Sequence, residues 1–211
     1  MSIDSVIFDL DGTLWDPTKV VYEAWSEKAS RFGYHITPKD MQGVMGLQLR
    51  DIGRKMFPEL DDETAMALMK DACRYECELI TQKGGVLFDG VIEMLSNLSA
   101  EYRLFIVSNC QDGYLQAFFA YHKLDKYFSD YIYSGDRKAT KGENIVELIK
   151  QRSLRAPIYV GDTQGDCDAS KFAGIPFVFA AYGFGSVNAD VPCIHSSLEL
   201  VELIKRGKPI Q

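Results

Sequence analysis

The hydrophobic positions of this chain form short, nearly continuous runs that alternate with amphipathic segments. Apolar runs rich in β-branched residues are typical of strands in a parallel sheet that is buried on both faces. The segments between the later runs place their apolar residues along one helix face, as at residues 91–98. This alternation predicts an α/β fold with a doubly wound parallel sheet. The predicted strands cover residues 5–8, 103–107, 131–133, 157–160 and 176–179.

The connection after the first predicted strand is much longer than a crossover requires. About a dozen residues suffice for a crossover between parallel strands. Here the strand–helix alternation resumes only after residue 85, and residues 16–85 carry helix signals instead. Asp16-Pro17 is typical of a helix start, and Asp61 can cap a long helix. We therefore predict a helical cap domain over residues 16–85, inserted into a core domain of residues 1–15 and 86–211.

Composition and charge limit the classes of partner. The chain is 46% hydrophobic and 25% charged, which is ordinary for a globular protein. Its formal net charge of −7 and lack of a basic run disfavour nucleic-acid binding. No segment has the roughly 20 apolar residues that a membrane helix needs, and the five scattered cysteines favour reduced thiols. We expect a cytoplasmic protein with neither membrane nor nucleic-acid partners, and the oligomeric state stays open.

Polar side chains follow three of the predicted strands. Asp9 and Asp11 come directly after the first strand, Ser108-Asn109 follow the second, and residues 161–166 follow the fourth. The carboxyl ends of parallel strands meet at one edge, where α/β sheets bind ligands. One such cluster alone would be compatible with a helix cap or a solvated loop, but three at one edge favour an active site. Converging carboxylates without a His or Cys pattern favour Mg²⁺ as the cofactor.

These clusters resemble motifs of the haloacid dehalogenase-like superfamily. Asp9-Leu10-Asp11-Gly12-Thr13 is similar to its first motif, Ser108-Asn109 to its second, and Gly161-Asp162 through Asp166 to its fourth. The resemblance extends over essentially the whole chain, including the helical insertion. It implies a Rossmann-like core with a helical cap. In core and cap layout the chain looks similar to the group of phosphoglycolate phosphatases and β-phosphoglucomutases.

The third motif of this superfamily is a lysine ahead of a helix. Lys141 is the best match, and Lys138 is a weaker one. A proline often follows the motif lysine in phosphatases of this group, whereas Gly142 follows Lys141 here. The identity of the lysine is therefore less firmly indicated than that of the aspartates.

The resemblance implies a role for each matching residue. Asp9 would be the nucleophile that forms an aspartyl-phosphate, and Asp11 would be the general acid and then the general base. Lys141 is implied to act in catalysis as well, by stabilising the phosphoryl group. The implied substrate-binding residues are Thr13, Ser108, Asn109 and Lys141, and the implied Mg²⁺ ligands are Asp9, the backbone carbonyl of Asp11, Asp162 and, in a supporting place, Asp166.

Several reactions share this arrangement of motifs. Dehalogenases lack the second acid, so Asp11 counts against them. Mutases resembling β-phosphoglucomutase carry a histidine on the first cap helix and a lysine in the cap loop, where this chain has Val21 and Met45. The sequence favours a phosphatase that hydrolyses small phosphorylated metabolites. The alternatives are a mutase-like phosphotransferase and a non-enzymatic signalling or binding module phosphorylated on aspartate.

The predicted cap carries the residues that would select the substrate. Residues 43–47 are expected to form a loop that faces the metal site when the cap is closed. Arg50 follows this loop and is a candidate for binding a second anionic group of the substrate, although a solvated helix residue is an equal interpretation. Phosphoglycolate, a sugar phosphate and a nucleotide all remain open as substrates.

Overall fold

The structure, a computed structural model, describes residues 3–44, 46–135 and 139–206 of the chain. Its strands are β1 Ser5–Phe8, β2 Trp15–Asp16, β3 Val86–Leu87, β4 Arg103–Ser108, β5 Asp130–Tyr133, β6 Pro157–Gly161, β7 Phe177–Ala180 and β8 Cys193–Ile194. Its helices are α1 Thr18–Ser30, α2 Pro38–Gln42, α3 Leu49–Met56, α4 Asp62–Lys83, α5 Val91–Ser99, α6 Tyr114–His122, α7 Lys141–Arg152, α8 Gln164–Ala173 and α9 Ser197–Lys205, with a 3₁₀ turn at Asp125–Tyr127.

A parallel sheet forms the centre of the molecule. Its six strands lie in the order β5-β4-β1-β6-β7-β8, which confirms the predicted doubly wound α/β fold. Strand β1 is fully buried, because helices cover both faces of the sheet. In register, Phe8 lies beside Ile106 of β4 and Val160 of β6. The residues that follow these three strands therefore come to the same edge.

Three short strands lie outside the runs of apolar residues from which the strands were predicted. Strand β8 adds to one edge of the main sheet, and β2 pairs with β3 in a separate antiparallel ribbon. Each of them has two residues. Such short strands show no periodicity, so only the tertiary contacts define them.

Helices α1 to α4 form the insertion between β2 and β3. The antiparallel ribbon places Trp15 beside Leu87 and Asp16 beside Val86, so the chain leaves the core and returns to it at one place. Helix α4 packs against α1 within the insertion and against α6 of the core. This ribbon coincides with both ends of the predicted cap, and we propose it as the hinge of a cap domain over residues 16–85.

The helix caps agree with the sequence at one site and differ at another. The Asp61 side chain accepts a hydrogen bond from the backbone N–H of Thr64 and caps α4, as predicted. Pro17, not Asp16, is the N-cap residue of α1. Asp16 still accepts a hydrogen bond from the N–H of Thr18 at 2.8 Å, so its carboxylate binds the helix start from one residue farther out.

Two sequence predictions concern membrane helices and disulfide bonds. No helix within the described ranges is long and apolar enough to cross a membrane. All five cysteines are free thiols, as the sequence predicts.

Candidate active site

Three aspartates meet at the carboxyl edge of the sheet. Asp9 follows β1, and Asp162 and Asp166 follow β6. Each offers a carboxylate oxygen, and these oxygens lie within 4.8 Å of one another. All three side chains are almost completely buried, so their negative charges are poorly screened by water.

Lys141 is the cation of this cluster. Its Nζ donates hydrogen bonds to Oδ1 of Asp9 at 2.9 Å and to Oδ1 of Asp166 at 2.6 Å. Lys141 is the first residue of α7, which Thr140 and Glu143 cap by a reciprocal pair of hydrogen bonds. The structure thus brings the preferred lysine to the predicted nucleophile, whereas Lys138 lies outside the described residues.

Steric crowding explains why a glycine follows Lys141. A Cβ atom at position 142 would lie 2.7 Å from Cδ1 of Phe172 on α8, closer than real Cβ contacts come. Any larger residue there, a proline included, would require the exposed Phe172 side chain, or the first turn of α7, to shift. Gly142 is therefore compatible with Lys141 in the active site.

Burial changes the acidity of two of the aspartates. It raises the pKa of Asp9 well above its usual value, with Asp166 adding to the shift and Lys141 opposing it. Burial also raises the pKa of Asp162 to about 6, and again Asp166 adds to the shift. One lysine does not neutralise the cluster, so additional positive charge would stabilise the ionised carboxylates.

The free oxygens of the cluster fit a divalent cation. Oδ2 of Asp162 accepts hydrogen bonds from the N–H groups of Phe184 and Gly185, while its Oδ1 is buried and has no partner among the described atoms. Asp166 differs, because Lys141 occupies its Oδ1, and Thr163 donates to its Oδ2 from both N–H and hydroxyl. Asp9 and Asp162 are thus better placed than Asp166 to bind Mg²⁺ directly.

Two glycines allow Asp162 to approach the loop that follows Asp9. Gly12 has a positive φ of 80°, and a Cβ atom there would lie 2.2 Å from Oδ2 of Asp162. A Cβ atom on Gly183 would lie 2.3 Å from the carbonyl oxygen of Gly12. A side chain at either position would separate Asp162 from the first-motif loop.

Asp11 is held by two donors, one four positions along the chain and one from the distant helix α6. Its Oδ1 accepts hydrogen bonds from Nε1 of Trp15 at 2.7 Å and from the Tyr114 hydroxyl at 2.9 Å. Burial raises the pKa of Asp11 to about 6, although both hydrogen bonds oppose that shift. A carboxyl group with this acidity and a fixed orientation suits proton transfer near neutral pH.

The second-motif residues have partners in the core and in the cap loop. Ser108 is buried and accepts a hydrogen bond from the N–H of Cys110 at 3.2 Å. Asn109 accepts one from the Ser134 hydroxyl and donates one to the carbonyl of Gly46, in the cap loop, at 3.0 Å. Both residues line the same cavity as Asp9, so they are available to a phosphoryl group there.

Two predicted substrate-binding residues do not line this cavity. The Thr13 hydroxyl is fully buried without a partner among the described atoms, and the carbonyl of Thr13 accepts a hydrogen bond from Tyr182. Arg50 lies exposed on α3, where Leu49 and Ile52 are the residues that face the cavity. Neither side chain therefore lies in the wall of the cavity beside Asp9, and their roles in substrate binding stay predictions.

The cavity lies between the sheet edge and the helical insertion. It has about 50 Å³ of free volume and contains Asp9, Asp11 and Lys141 on the core side. The cap loop faces it as predicted, since Gly46 and Leu47 lie in its wall, whereas Met45 is outside the described residues. The apolar residues on the cap side are Val21, Trp25, Met41, Val44, Leu47, Leu49 and Ile52.

A buried acid in the cap wall was missed by the sequence analysis. Glu76 of α4 is 2% exposed and lines the cavity. Its Oε2 accepts hydrogen bonds from Nε1 of Trp25 at 3.1 Å and Nε2 of Gln111 at 2.7 Å. Burial raises the pKa of Glu76 to about 8, and the nearby charge of Asp11 adds to the shift. The available signal was an acid on the otherwise apolar, buried face of α4.

We expect Glu76→Gln to change how stability depends on pH. The folded-state pKa of about 8 exceeds the ordinary value of 4.5, so the folded protein holds a proton that the unfolded chain loses. Stability contributed by this group is therefore lost as pH rises between those values. As the pH rises from about 5 to about 8, wild type should lose about 3 kcal/mol of free energy of unfolding that Glu76→Gln keeps.

Urea unfolding at both pH values in the absence of divalent cations measures this effect. The matched control is Glu63→Gln, an exposed acid on the same helix, which should follow the wild-type pH dependence. Parallel curves for wild type and Glu76→Gln would contradict the assignment of a neutral, buried carboxyl group.

Comparisons with known proteins extend over nearly the whole chain. The model of the haloacid dehalogenase-like hydrolase family matches residues 6–180. A phosphoglycolate phosphatase from Rhodobacter capsulatus is 27% identical over 198 residues, or 88% of each chain. A structure described as a predicted phosphatase from Clostridium acetobutylicum has a TM-score of 0.82 at 23% identity, and the match covers 98% of this chain and 100% of that one. A haloacid dehalogenase-like hydrolase from Streptococcus pneumoniae has a TM-score of 0.82 at 23% identity, covering 95% and 98%.

The family match includes five of the six strands of the main sheet, the helical insertion and the edge that carries the aspartates. It begins within β1 and ends with β7, so it contains Asp9, Asp11, Lys141 and Asp162. The solved structures share this fold with its insertion. The named relatives are similar along nearly their whole length, and they are enzymes. The protein is accordingly an enzyme, and its chain belongs to the haloacid dehalogenase-like hydrolase family.

Proposed function

We propose that the protein is a Mg²⁺-dependent phosphatase that hydrolyses small phosphate monoesters through an aspartyl-phosphate on Asp9. The observation that supports this most strongly is that two carboxyl groups with different surroundings line one cavity. Asp9 is bound by Lys141 beside the unpartnered oxygen of Asp162. Asp11 is held apart from that cluster by Trp15 and Tyr114.

Asp9 is the proposed nucleophile. Attack of its carboxylate on phosphorus forms the acyl phosphate bond and breaks the bond from phosphorus to the ester oxygen. Lys141 already contacts Asp9 and is placed to bind an equatorial phosphoryl oxygen, where negative charge must be stabilised. Ser108 and Asn109 line the same cavity and supply hydrogen-bond donors to the other oxygens.

Asp11 is the proposed proton carrier. In its protonated form it donates a proton to the departing alkoxide, and the resulting carboxylate then removes a proton from the water that attacks the phosphoenzyme. Trp15 and Tyr114 both donate to Oδ1, so the carboxyl group keeps one orientation. The raised pKa of about 6 makes both protonation states accessible near neutral pH.

Asp9, Asp162 and the backbone carbonyl of Asp11 are the proposed Mg²⁺ ligands. When bound, Mg²⁺ supplies positive charge that offsets the repulsion between the Asp9 carboxylate and the phosphate monoester. Asp166 has a different proposed role, because both of its oxygens are already bound. It positions Lys141 and caps the start of α8, so its support of the metal site is indirect.

Hydrolysis is favoured over mutase-like phosphotransfer by the cap wall. Val21 is buried in the cavity at the position that the resemblance assigns to a mutase histidine. Among the described residues that line the cavity there is no histidine to carry protons to and from a second substrate hydroxyl. The burial of Asp9 beneath the helical insertion also favours turnover of a small molecule over a signalling module, whose phosphorylation site must face a partner.

We expect Mg²⁺ to be required for turnover of p-nitrophenyl phosphate. Wild-type enzyme should release p-nitrophenol with Mg²⁺ and lose that activity with a chelator, because the acidic cluster repels the phosphate when no cation is bound. Steady-state absorbance measures the rate, and re-addition of Mg²⁺ is the control for irreversible damage. Equal rates with and without Mg²⁺ would contradict the proposed cofactor.

We also expect Mg²⁺ to raise the melting temperature through Asp162. A free Mg²⁺ concentration of about 100 times the dissociation constant stabilises the folded state by about 2.7 kcal/mol. Thermal denaturation should show this shift in wild type and in Asp168→Asn, whose exposed carboxylate follows the same strand. The shift should be lost in Asp162→Asn. If Asp162→Asn kept the full shift, the metal site would lie elsewhere.

A further inference from the structure

We propose that the preferred substrate is a phosphate monoester of a small, uncharged alcohol that carries a further hydroxyl group. Glu76, in the part of the cavity wall formed by the helical insertion (the cap wall), would form a hydrogen bond with that hydroxyl group. This inference rests on the proposed phosphatase function and specifies its substrate class. It also means that leaving groups with a carboxylate, such as that of phosphoglycolate, are disfavoured.

The geometry places Glu76 on the leaving-group side of the cavity. Lys141 and Asp9 mark the end where the phosphoryl group binds. Asp11 must reach the ester oxygen to protonate it, so the alcohol extends from Asp11 toward the cap. Gln111, two residues after Asn109 in the second motif, donates a hydrogen bond to Glu76. Glu76 therefore lies in the wall that an alcohol would meet in this small cavity.

The charges of the wall argue against an anionic leaving group. Among the described residues around the cavity, Lys141 is the one cation, and Asp9 and Asp166 already bind it at the phosphoryl end. The cap side otherwise offers apolar side chains and the acid Glu76. A carboxylate on the alcohol would lose its hydration without gaining a cation, and it would face the carboxyl groups of Asp11 and Glu76.

The hydrogen bonds of Glu76 suit a hydroxyl group. Trp25 and Gln111 both donate to Oε2, and the thiol of Cys73 lies near enough to the carboxyl to donate as well. Because Oε2 accepts both of these hydrogen bonds, the neutral form of the carboxyl group would carry its proton on Oε1. A neutral carboxyl group offers one donor and further acceptor sites, as a hydroxyl group does.

The inference is tested with three phosphate monoesters of nearly equal size. They are hydroxyethyl phosphate, phosphoglycolate and phosphoethanolamine, whose distal groups are neutral, negative and positive. With Mg²⁺ near neutral pH, we expect kcat/KM for hydroxyethyl phosphate to exceed that for phosphoglycolate by at least about tenfold. The reason is that the carboxylate of phosphoglycolate would be buried in the cavity without a partner, which is costly. Phosphoethanolamine should also be poorer than hydroxyethyl phosphate.

Variants at position 76 separate substrate reading from a structural role. Glu76→Lys supplies a cation, so the ratio of kcat/KM for phosphoglycolate to that for hydroxyethyl phosphate should rise by at least about tenfold. Glu76→Gln keeps a donor and an acceptor and should retain the wild-type order of substrates. Glu63→Gln, on the exposed side of α4, should leave all rates unchanged. A merely structural role would lower all rates together and leave the ratios constant.

Two results would overturn the inference while leaving the phosphatase function intact. One is a wild-type preference for phosphoglycolate. The other is a preference for phosphoethanolamine, which would mean that Glu76 is ionised and binds the ammonium group. If p-nitrophenyl phosphate and all three monoesters were left intact, the proposed function itself would fail and this inference with it.

Discussion

Asp9→Asn is expected to lower the phosphatase kcat by at least about 10⁴-fold, the scale seen when a catalytic nucleophile is removed. The amide that replaces the carboxylate cannot form the acyl phosphate. The substitution is nearly isosteric, and Lys141 keeps its hydrogen bond to Asp166. Burial and the neighbouring carboxylates raise the pKa of Asp9, so the negative charge at this position is unfavourable. Replacing it with a neutral amide should therefore leave the fold intact. Steady-state phosphate release with Mg²⁺ measures the loss.

The control for this substitution is Asp168→Asn. Asp168 belongs to the same polar segment, but it is exposed and interacts with Gln164 instead of the cluster. Its variant should keep wild-type kcat. Melting curves of both variants test whether the fold is kept. A folded Asp9→Asn protein with more than about one hundredth of the wild-type rate would remove Asp9 from the role of nucleophile.

Asp11→Asn should have the second largest effect, and its size should depend on the leaving group. General acid–base catalysis contributes about 10²–10⁴-fold to a rate. The asparagine oxygen can still accept from Trp15 and Tyr114, so the loop geometry is kept while the proton is lost. An alkyl phosphate needs that proton on its leaving oxygen, whereas p-nitrophenolate leaves without it.

With p-nitrophenyl phosphate, we therefore expect Asp11→Asn to release a burst of p-nitrophenol. The burst should equal the enzyme concentration and then stall, because no base activates the water that attacks the phosphoenzyme. With an alkyl phosphate the first step should itself be slow. Stopped-flow absorbance and phosphate release separate the two steps. Equal losses for both leaving groups, without a burst, would contradict a proton-transfer role for Asp11.

The core fold could be predicted from the sequence because burial on both faces leaves a visible pattern. Strand β1 reads as a continuous apolar run, and the polar residues after β1, β4 and β6 locate the functional edge. The two-residue strands β2, β3 and β8 lack such a pattern, and only their partners define them. The helical insertion was visible as a connection too long for a crossover.

The contacts of the site were harder to predict. Tyr114 lies 103 positions from Asp11, and Glu76 lies 51 positions from Trp25. Those pairs depend on how α4 and α6 are rotated, which a single sequence does not record. The direction of Arg50 was left open by the sequence for the same reason. A short helix exposes one face, and α3 turns Leu49 and Ile52 to the cavity.

The most direct test of the proposed chemistry is to trap the phosphoenzyme. Asp11→Asn, incubated with Mg²⁺ and p-nitrophenyl phosphate, should accumulate an acyl phosphate that borohydride reduces. Peptide mass spectrometry should then find homoserine at position 9 alone, and none when Asp9→Asn is added to the same protein. Turnover with an unmodified Asp9 peptide, or reduction at a different aspartate, would contradict the assignment of Asp9 as the nucleophile.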